Sequence, residues 1–234
     1  MNILSLDTTL NRCSVAVLAA DKILAHNALD LRRGHAEALM PMISETLIVA
    51  SMGFSDLNLI AVTTGPGTFT GQRVGLSAAR GIGVARNLPV QGVGSLSAIA
   101  LGARQDMSVA DRQNVDILVV LDARRGEFYL QLFPANTPIW PDFSAPLAAN
   151  IETIKKYLPD RPCQIVGTGV DLARDTLGPD IPEIYFNEVR SEPDAVEVGL
   201  LAGKMVSTNG LPSSPPPPLY LRAPDAKLPG GKSL

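Results

Sequence analysis

Short apolar and β-branched blocks alternate with polar, turn-forming clusters over the first third of the chain. Residues 3–6 and 13–19 flank the polar turn Asp7-Thr8-Thr9-Leu10-Asn11, a pattern that predicts a hairpin, and residues 22–29 predict a third strand. The period then changes. Leu39, Met42, Ile43, Thr46, Leu47 and Ala50 fall at helical spacing, so residues 34–51 are predicted helical, with Pro41 placed in the first turn. Residues 59–64 predict a buried strand running into Gly65-Pro66-Gly67-Thr68-Phe69-Thr70-Gly71, a sharp turn that opens a helix over 72–86. Strand and helix follow again at 89–93 and 95–104.

The polar stretch 105–114 breaks this rhythm and sets the predicted start of a second domain near residue 104. Beyond it, 115–121 and 127–133 predict strands joined by Asp122-Ala123-Arg124-Arg125-Gly126. Residues 139–150 read as loop, 151–158 as a short helix, 163–166 as a strand running into Gly167-Thr168-Gly169, and 194–207 as a last helix. Five prolines and no core formers between 212 and 218 predict an extended linker, after which only Leu219-Tyr220-Leu221-Arg222 is suited to dock. The expected organisation is two α/β lobes with mixed sheets, 1–103 and 104–211, followed by a Pro-rich linker and tail, 212–234.

Composition narrows the function classes. The 234 residues are 46% hydrophobic and only 18% charged, with a formal net charge of -3. That is enough apolar material for a core, and too little positive charge for an autonomous nucleic-acid binder that works by neutralising phosphates. Any RNA contact is expected to need a partner. Cys13 and Cys163 lie far apart without a CxxC or Cys/His spacing and are expected to be reduced, half-buried thiols rather than a disulfide or zinc ligands. His26 and His35 are the only histidines; Leu39 stands four residues after His35, so no helical histidine pair is present to hold a metal. The opening Met1-Asn2-Ile3-Leu4 has no basic leader and no apolar run reaches membrane-spanning length, so a cytoplasmic protein without membrane contact is expected.

Two turns carry candidate chemistry. Asp7, Thr8 and Thr9 follow a buried strand, where α/β folds place phosphate- or metal-facing groups; an Asx turn that caps its own backbone is the commoner outcome for such a tripeptide. Gly67 and Thr68 bring backbone N–H groups to a helix start, with Thr68 or Thr70 as N-cap, although the Gly-Lys-Thr/Ser ending of a P-loop is missing. Arg73, placed in the first helical turn, opposes the helix dipole, so it either meets an acidic group or anion or extends into water. Gly167, Thr168 and Gly169 form a second phosphate-facing candidate. Asp122, Arg124 and Glu127 make either a charged ligand-facing corner or a solvated hairpin turn. Gly71, Gly75, Ala79 and Gly83 recur every fourth residue along the predicted helix, a stripe without side chains that either packs on the chain's own sheet or admits a partner helix.

The strings Ile3-Leu4-Ser5-Leu6-Asp7-Thr8-Thr9 with Cys13-Ser14-Val15-Ala16-Val17, Gly65 through Gly75, Asp122-Ala123-Arg124-Arg125-Gly126-Glu127-Phe128-Tyr129 and Tyr220-Leu221-Arg222 resemble the TsaB (YeaZ) family over nearly the whole chain. The resemblance implies a two-lobed actin-like ATPase (ASKHA) fold and a non-catalytic role beside the related TsaD, which transfers a threonylcarbamoyl group to the adenosine next to the anticodon of tRNAs reading ANN codons. TsaD carries a metal-binding histidine pair; Leu39 here removes it. The family pairs with TsaD through helices of the first lobe and is joined by the ATPase TsaE, with tRNA reached only through the complex. Carried onto this sequence, the interface is His35, Leu39, Met42, Ile43, Thr46, Gly71, Gly75, Ala78, Ala79 and Ile82. Gln72 departs from the family, where an apolar residue is usual. No tightly bound cofactor is implied. Weak ATP or ADP binding with Mg²⁺ in the interlobe cleft or at a partner interface stays open, as does a homodimer of the isolated chain. Two rivals remain: an active ASKHA-type ATPase or kinase, for which no Asp-x-Gly-Gly loop is visible in the second half, and a glycoprotease-like metallohydrolase, for which the ligand set is missing.

Overall fold

The structure, a computed structural model, describes residues 1–140, 144–178 and 181–222. The predicted opening hairpin is β1 (Asn2–Asp7) and β2 (Arg12–Ala19), and β3 (Lys22–Asp30) adds to it antiparallel. Helix α1 (His35–Val49) carries the chain to β4 (Leu59–Gly65), parallel to β1, and α2 (Phe69–Arg86) carries it to β5 (Val90–Gly94). The sheet order is β3-β2-β1-β4-β5. Both faces of β1 and β2 are buried, so their apolar residues sort by alternation into two cores. Leu4, Leu6, Val15 and Val17 meet α1 and α2 on one side. Ile3, Ala16 and Leu18 meet α3 (Ser95–Asp106) and α6 (Ala195–Asn209) on the other.

After α4 (Val109–Asn114) a second sheet is built from β6 (Asp116–Asp122), β7 (Glu127–Phe133), β8 (Leu147–Asn150), β9 (Cys163–Val166) and β10 (Ile184–Asn187), in the order β10-β9-β6-β7-β8. A 3₁₀ segment (Ile151–Tyr157) and α5 (Val170–Leu177) cover its outer face. Each sheet mixes parallel and antiparallel pairs, and the two-lobed actin-like arrangement implied by the family resemblance is present. Ile117, Val119, Leu121 and Phe133 of the second sheet share one core with α3 and α6, so the lobes are joined by packed helices rather than by a loose connector.

Several expectations are corrected. Pro41 lies inside α1 beyond its first turn, where its ring leaves the Glu37 carbonyl without the usual helical donor. Helix α2 starts at Phe69, three residues earlier than predicted, because Thr68 caps it: Thr68 Oγ1 accepts from Gly71 N at 3.1 Å. Elements α4, α5, β8 and β10 lie where the sequence pattern predicts loop or no regular element, and residues 141–143 of the predicted 139–150 loop lie outside the described residues. Helix α6 falls within the predicted second lobe, yet it packs across β1, β2, β4 and β5 of the first sheet. Both cysteine thiols are fully buried rather than half-buried, and burial pushes Cys13 up to about 11 and Cys163 to about 12. The 212–218 segment is not a free linker, since Pro216 fills the space left by Gly92 and its carbonyl accepts from Arg80 Nη2 at 2.6 Å. The tail after residue 222 lies outside the described residues. No helix of the described residues is long and apolar enough to cross a membrane.

Candidate functional site

The turn after β1 and the glycine loop after β4 are locked to each other. Thr68 N donates to the Thr9 carbonyl at 2.8 Å, and Thr8 Oγ1 donates to the Gly71 carbonyl at 2.7 Å. A side chain at Gly67 would collide with the Thr9 backbone 2.6 Å away, and one at Gly71 would collide with the Thr8 carbonyl, so both positions need glycine for this close approach. Asp7 lies beneath, wholly buried. Its Oδ1 accepts from Thr9 N at 3.2 Å, Thr9 Oγ1 at 2.7 Å and Thr63 Oγ1 at 2.6 Å, while Oδ2 is buried with no partner. Burial disfavours the carboxylate and raises the group to about 7, against the opposing pull of the Thr63 and Thr9 donors. The tripeptide is therefore a self-capping Asx turn.

A cleft of about 680 Å³ opens between the lobes above this turn. Leu10, Pro66, Gly67, Thr68, Phe69 and Gln72 line it from the first lobe; Leu121, Asp122, Arg124, Tyr129 and Thr168 line it from the second. The four residues 219–222 line it as well. Of the anion candidates, Gly67, Thr68 and Thr168 thus reach the cleft, whereas Asp7, Thr8, Thr9, Arg73, Gly167 and Gly169 are not among its lining. Thr168 Oγ1 already accepts from Asp122 N at 3.1 Å, and Gly169 N donates to the Val120 carbonyl at 2.9 Å. Arg73 lies in the second turn of α2 and, among the described residues, meets no anion. Its guanidinium stacks over the Phe69 ring at 3.6 Å and its Nε donates to Tyr220 Oη at 3.1 Å. Gln72, the departure from the family, is buried, and its Nε2 donates to the Gly67 carbonyl at 3.2 Å. The Asp122 turn is tied rather than simply solvated: Arg124 N donates to Asp122 Oδ1 at 2.7 Å, and Arg222 bridges to Glu127 at 3.1 Å.

The one carboxylate at the turn is sealed under the glycine loop, the Thr8 and Thr9 hydroxyls donate to partners within the chain, and Thr168 Oγ1 accepts from Asp122 N. Among the described residues no group of three His, Cys, Asp or Glu side chains stands close enough to hold a metal ion.

The interface candidates divide by burial. Leu39, Met42, Ile43 and Thr46 of α1, and Gly71, Gly75, Ala79 and Ile82 of α2, are buried in the chain's own core. The small-residue stripe is internal. A Cβ on Gly75 would meet Thr8 Oγ1 at 2.7 Å and Val62 Cγ2 at 3.4 Å, and one on Gly83 would meet Val90 Cγ2 at 2.7 Å. His35 is half-buried, its Nε2 without a hydrogen-bond partner. What faces outward between the two helices is a shallow apolar groove of about 530 Å³, lined by Ala36, Leu39 and Met40 of α1 and by Phe69, Arg73 and Ala78 of α2, among others. Met40 and Phe69 are each nearly half exposed. Ala78 therefore keeps its place at the surface; Met40 and Phe69 were missed, although both are large apolar residues at positions that break the buried stripe of their helices.

Residues 22–136 match the family model described as TsaD, tRNA N6-adenosine threonylcarbamoyltransferase. Over 129 residues the chain is 35% identical to the Escherichia coli tRNA threonylcarbamoyladenosine biosynthesis protein TsaB, a stretch covering 55% of this chain and 53% of that protein. The Bacillus subtilis TsaB is 29% identical over 181 residues, 76% of this chain and 75% of that protein. The chain thus matches about half the length of the Escherichia coli relative. Among solved structures, an uncharacterized Pseudomonas aeruginosa protein similar to the peptidase YeaZ superposes with a TM-score of 0.80 at 25% identity, over 94% of this chain and 99% of that one.

Proposed function

We propose that the chain, similar in sequence to TsaB proteins and in structure to a YeaZ-like protein, is the non-catalytic partner of a TsaD relative in forming threonylcarbamoyladenosine beside the tRNA anticodon. The observation that carries this reading is the exposed groove between α1 and α2. Both helices lie in the stretch that matches a TsaD model, so a true TsaD offers the same kind of helix pair. Two related surfaces of this kind pair about a pseudo-twofold axis, each helix pair covering the other. TsaE joins that pair, and tRNA is held by the complex rather than by this chain. In the absence of TsaD the same groove pairs two copies of the chain, a weaker homodimer that TsaD displaces.

The non-catalytic assignment is supported by the saturation of the turns. The Thr8 and Thr9 hydroxyls are consumed by Gly71 and Asp7, and a strap of the chain's own C-terminal residues lines the cleft. No tightly bound cofactor is part of the reading, and an ATPase or kinase acting alone is disfavoured by the same contacts.

The test is reconstitution. The chain alone is expected to give no threonylcarbamoyl transfer to tRNA, and transfer by the TsaD relative is expected to depend on adding it. Met40→Asp, which sets a charge on the groove wall, is expected to abolish both pairing and stimulation while leaving the thermal melting of the chain nearly unchanged, since Met40 is nearly half exposed. Turnover by the chain alone that is lost in Asp7→Ala would make it an enzyme and overturn the reading.

A further inference from the structure

The C-terminal segment 216–222 crosses from one lobe to the other. Its first anchors are on the first lobe, where Pro216 lies against Gly92, Arg80 holds the Pro216 carbonyl, and Leu219 N donates to the Thr64 carbonyl at 2.8 Å. Its last anchor is on the second, where Arg222 Nη1 reaches the Ala123 carbonyl at 3.3 Å and Glu127 Oε2 at 3.1 Å. Between them, Tyr220 packs on Phe69 with ring centroids 5.5 Å apart, and its hydroxyl accepts from Arg73. Phe69 is common to the interlobe cleft and the helix groove. Its ring meets both Tyr220, which belongs to the strap, and the Arg73 guanidinium, which lines the groove, and these two are hydrogen-bonded to each other.

We infer that the strap sets the wall of the docking groove, so that attachment of residues 219–222 across the cleft and binding of the TsaD-like partner are one coupled equilibrium. The inference rests on the groove being the partner-docking face. An aromatic ring and an arginine that are already fixed on the free protein need not be ordered when the partner arrives, so the attached strap favours docking. Linkage requires the reverse with the same factor: the docked partner favours strap attachment.

Calorimetric titration with the purified TsaD relative reads the first half. Tyr220→Ala, which removes both the ring and the hydroxyl, is expected to weaken pairing about two- to tenfold, the worth of one aromatic pair. Tyr220→Phe keeps the ring and is expected to lose less. Hydrogen exchange in the unaltered chain reads the second half, and holds even where a variant fails to fold: the Leu219 amide is expected to exchange more slowly once the partner is added. Pairing unchanged in Tyr220→Ala, or Leu219 exchange indifferent to the partner, overturns the inference. Met40→Asp separates this from the groove itself. Loss of pairing in Met40→Asp with full pairing in Tyr220→Ala sinks the strap and keeps the groove, whereas full pairing in Met40→Asp sinks the groove and the strap's role with it.

Discussion

Asp7 is the most strongly perturbed acid at the candidate site, and its environment makes a pH-dependent claim. Its ordinary value is 3.8 and its folded value is about 7, so between these limits the folded state holds a proton that the unfolded state has released. Stability from this group therefore falls as pH rises through that window and is level above it, each unit of difference being worth about 1.4 kcal/mol. His26 works in the same direction. Its hydrogen bond to Asp194 raises it above its ordinary 6.5, so the stability from that pair is full below about 6.5 and is lost as pH rises through the folded value. Urea midpoints at pH 5 and pH 8 span both losses, and a variant of Asp7 separates the two. Asp7→Asn keeps an acceptor for Thr9 and Thr63 but has no proton to lose, and is expected to flatten the pH dependence, gaining on the unaltered chain as pH rises. A variant that follows the same pH curve as the unaltered chain would place the titration elsewhere. The self-capping outcome at Asp7 was readable from the Asp-Thr-Thr string, because an Asx turn needs only residues that are neighbours in sequence. The sealed Oδ2 was not readable, because it depends on a loop some sixty residues away closing over the turn.

At the scale of elements, α2 shows what a glycine stripe means. Gly75 is pressed against Thr8 and Val62, so Gly75→Leu forces either the turn or the helix to move, at a cost of about 1–3 kcal/mol. Chemical denaturation is expected to show that loss in the chain alone, with pairing reduced only as far as folding is. Gly81 on the same helix is exposed with nothing within 4 Å of the position a Cβ would take, so Gly81→Ala is expected to stabilise by about 0.5–1 kcal/mol and raise the melting temperature. Opposite signs at two glycines of one helix distinguish an internal stripe from an outward one; a neutral Gly75→Leu would return the stripe to the partner. Spacing alone marked the stripe without deciding its direction. Periodicity found the long elements, β1, β2, β6, β7, α1 and α2, because each buries a full face and so repeats its pattern several times. It missed β8, β10 and α5, the two strands being four residues each and the helix eight, too short to repeat a period. Helix α6 was found, but its docking on the first sheet was not, since nothing local to residues 195–209 says which sheet its apolar face will meet.

For the whole molecule, the decisive quantity is the distribution of charge. There are 20 Lys and Arg against 23 Asp and Glu, and many arginines are already engaged within the chain. Arg190 holds Asp106 at 2.5 Å, Arg174 holds Glu188 at 2.6 Å and Asp171 at 3.0 Å, Arg161 faces Asp116 at 3.3 Å, and Arg12 faces Asp30 at 3.2 Å. A cation paired with a carboxylate adds little field at a distance, and a polyanion displaces counterions only where unpaired cations are gathered on one face. The groove offers apolar walls and Arg73, whose guanidinium is stacked on Phe69. The isolated chain is therefore expected to bind unmodified tRNA more weakly than about 1 μM at physiological salt, the strong end of non-specific binding, with a shallow dependence on salt concentration. Adding the TsaD relative is expected to restore tight binding, because the complex and not this subunit presents the cationic surface. Fluorescence anisotropy across a salt series checks both halves. Sub-micromolar binding by the chain alone, falling steeply as salt rises, would mean that a basic face is assembled in solution by a second copy of the chain, and would move the RNA contact onto this subunit.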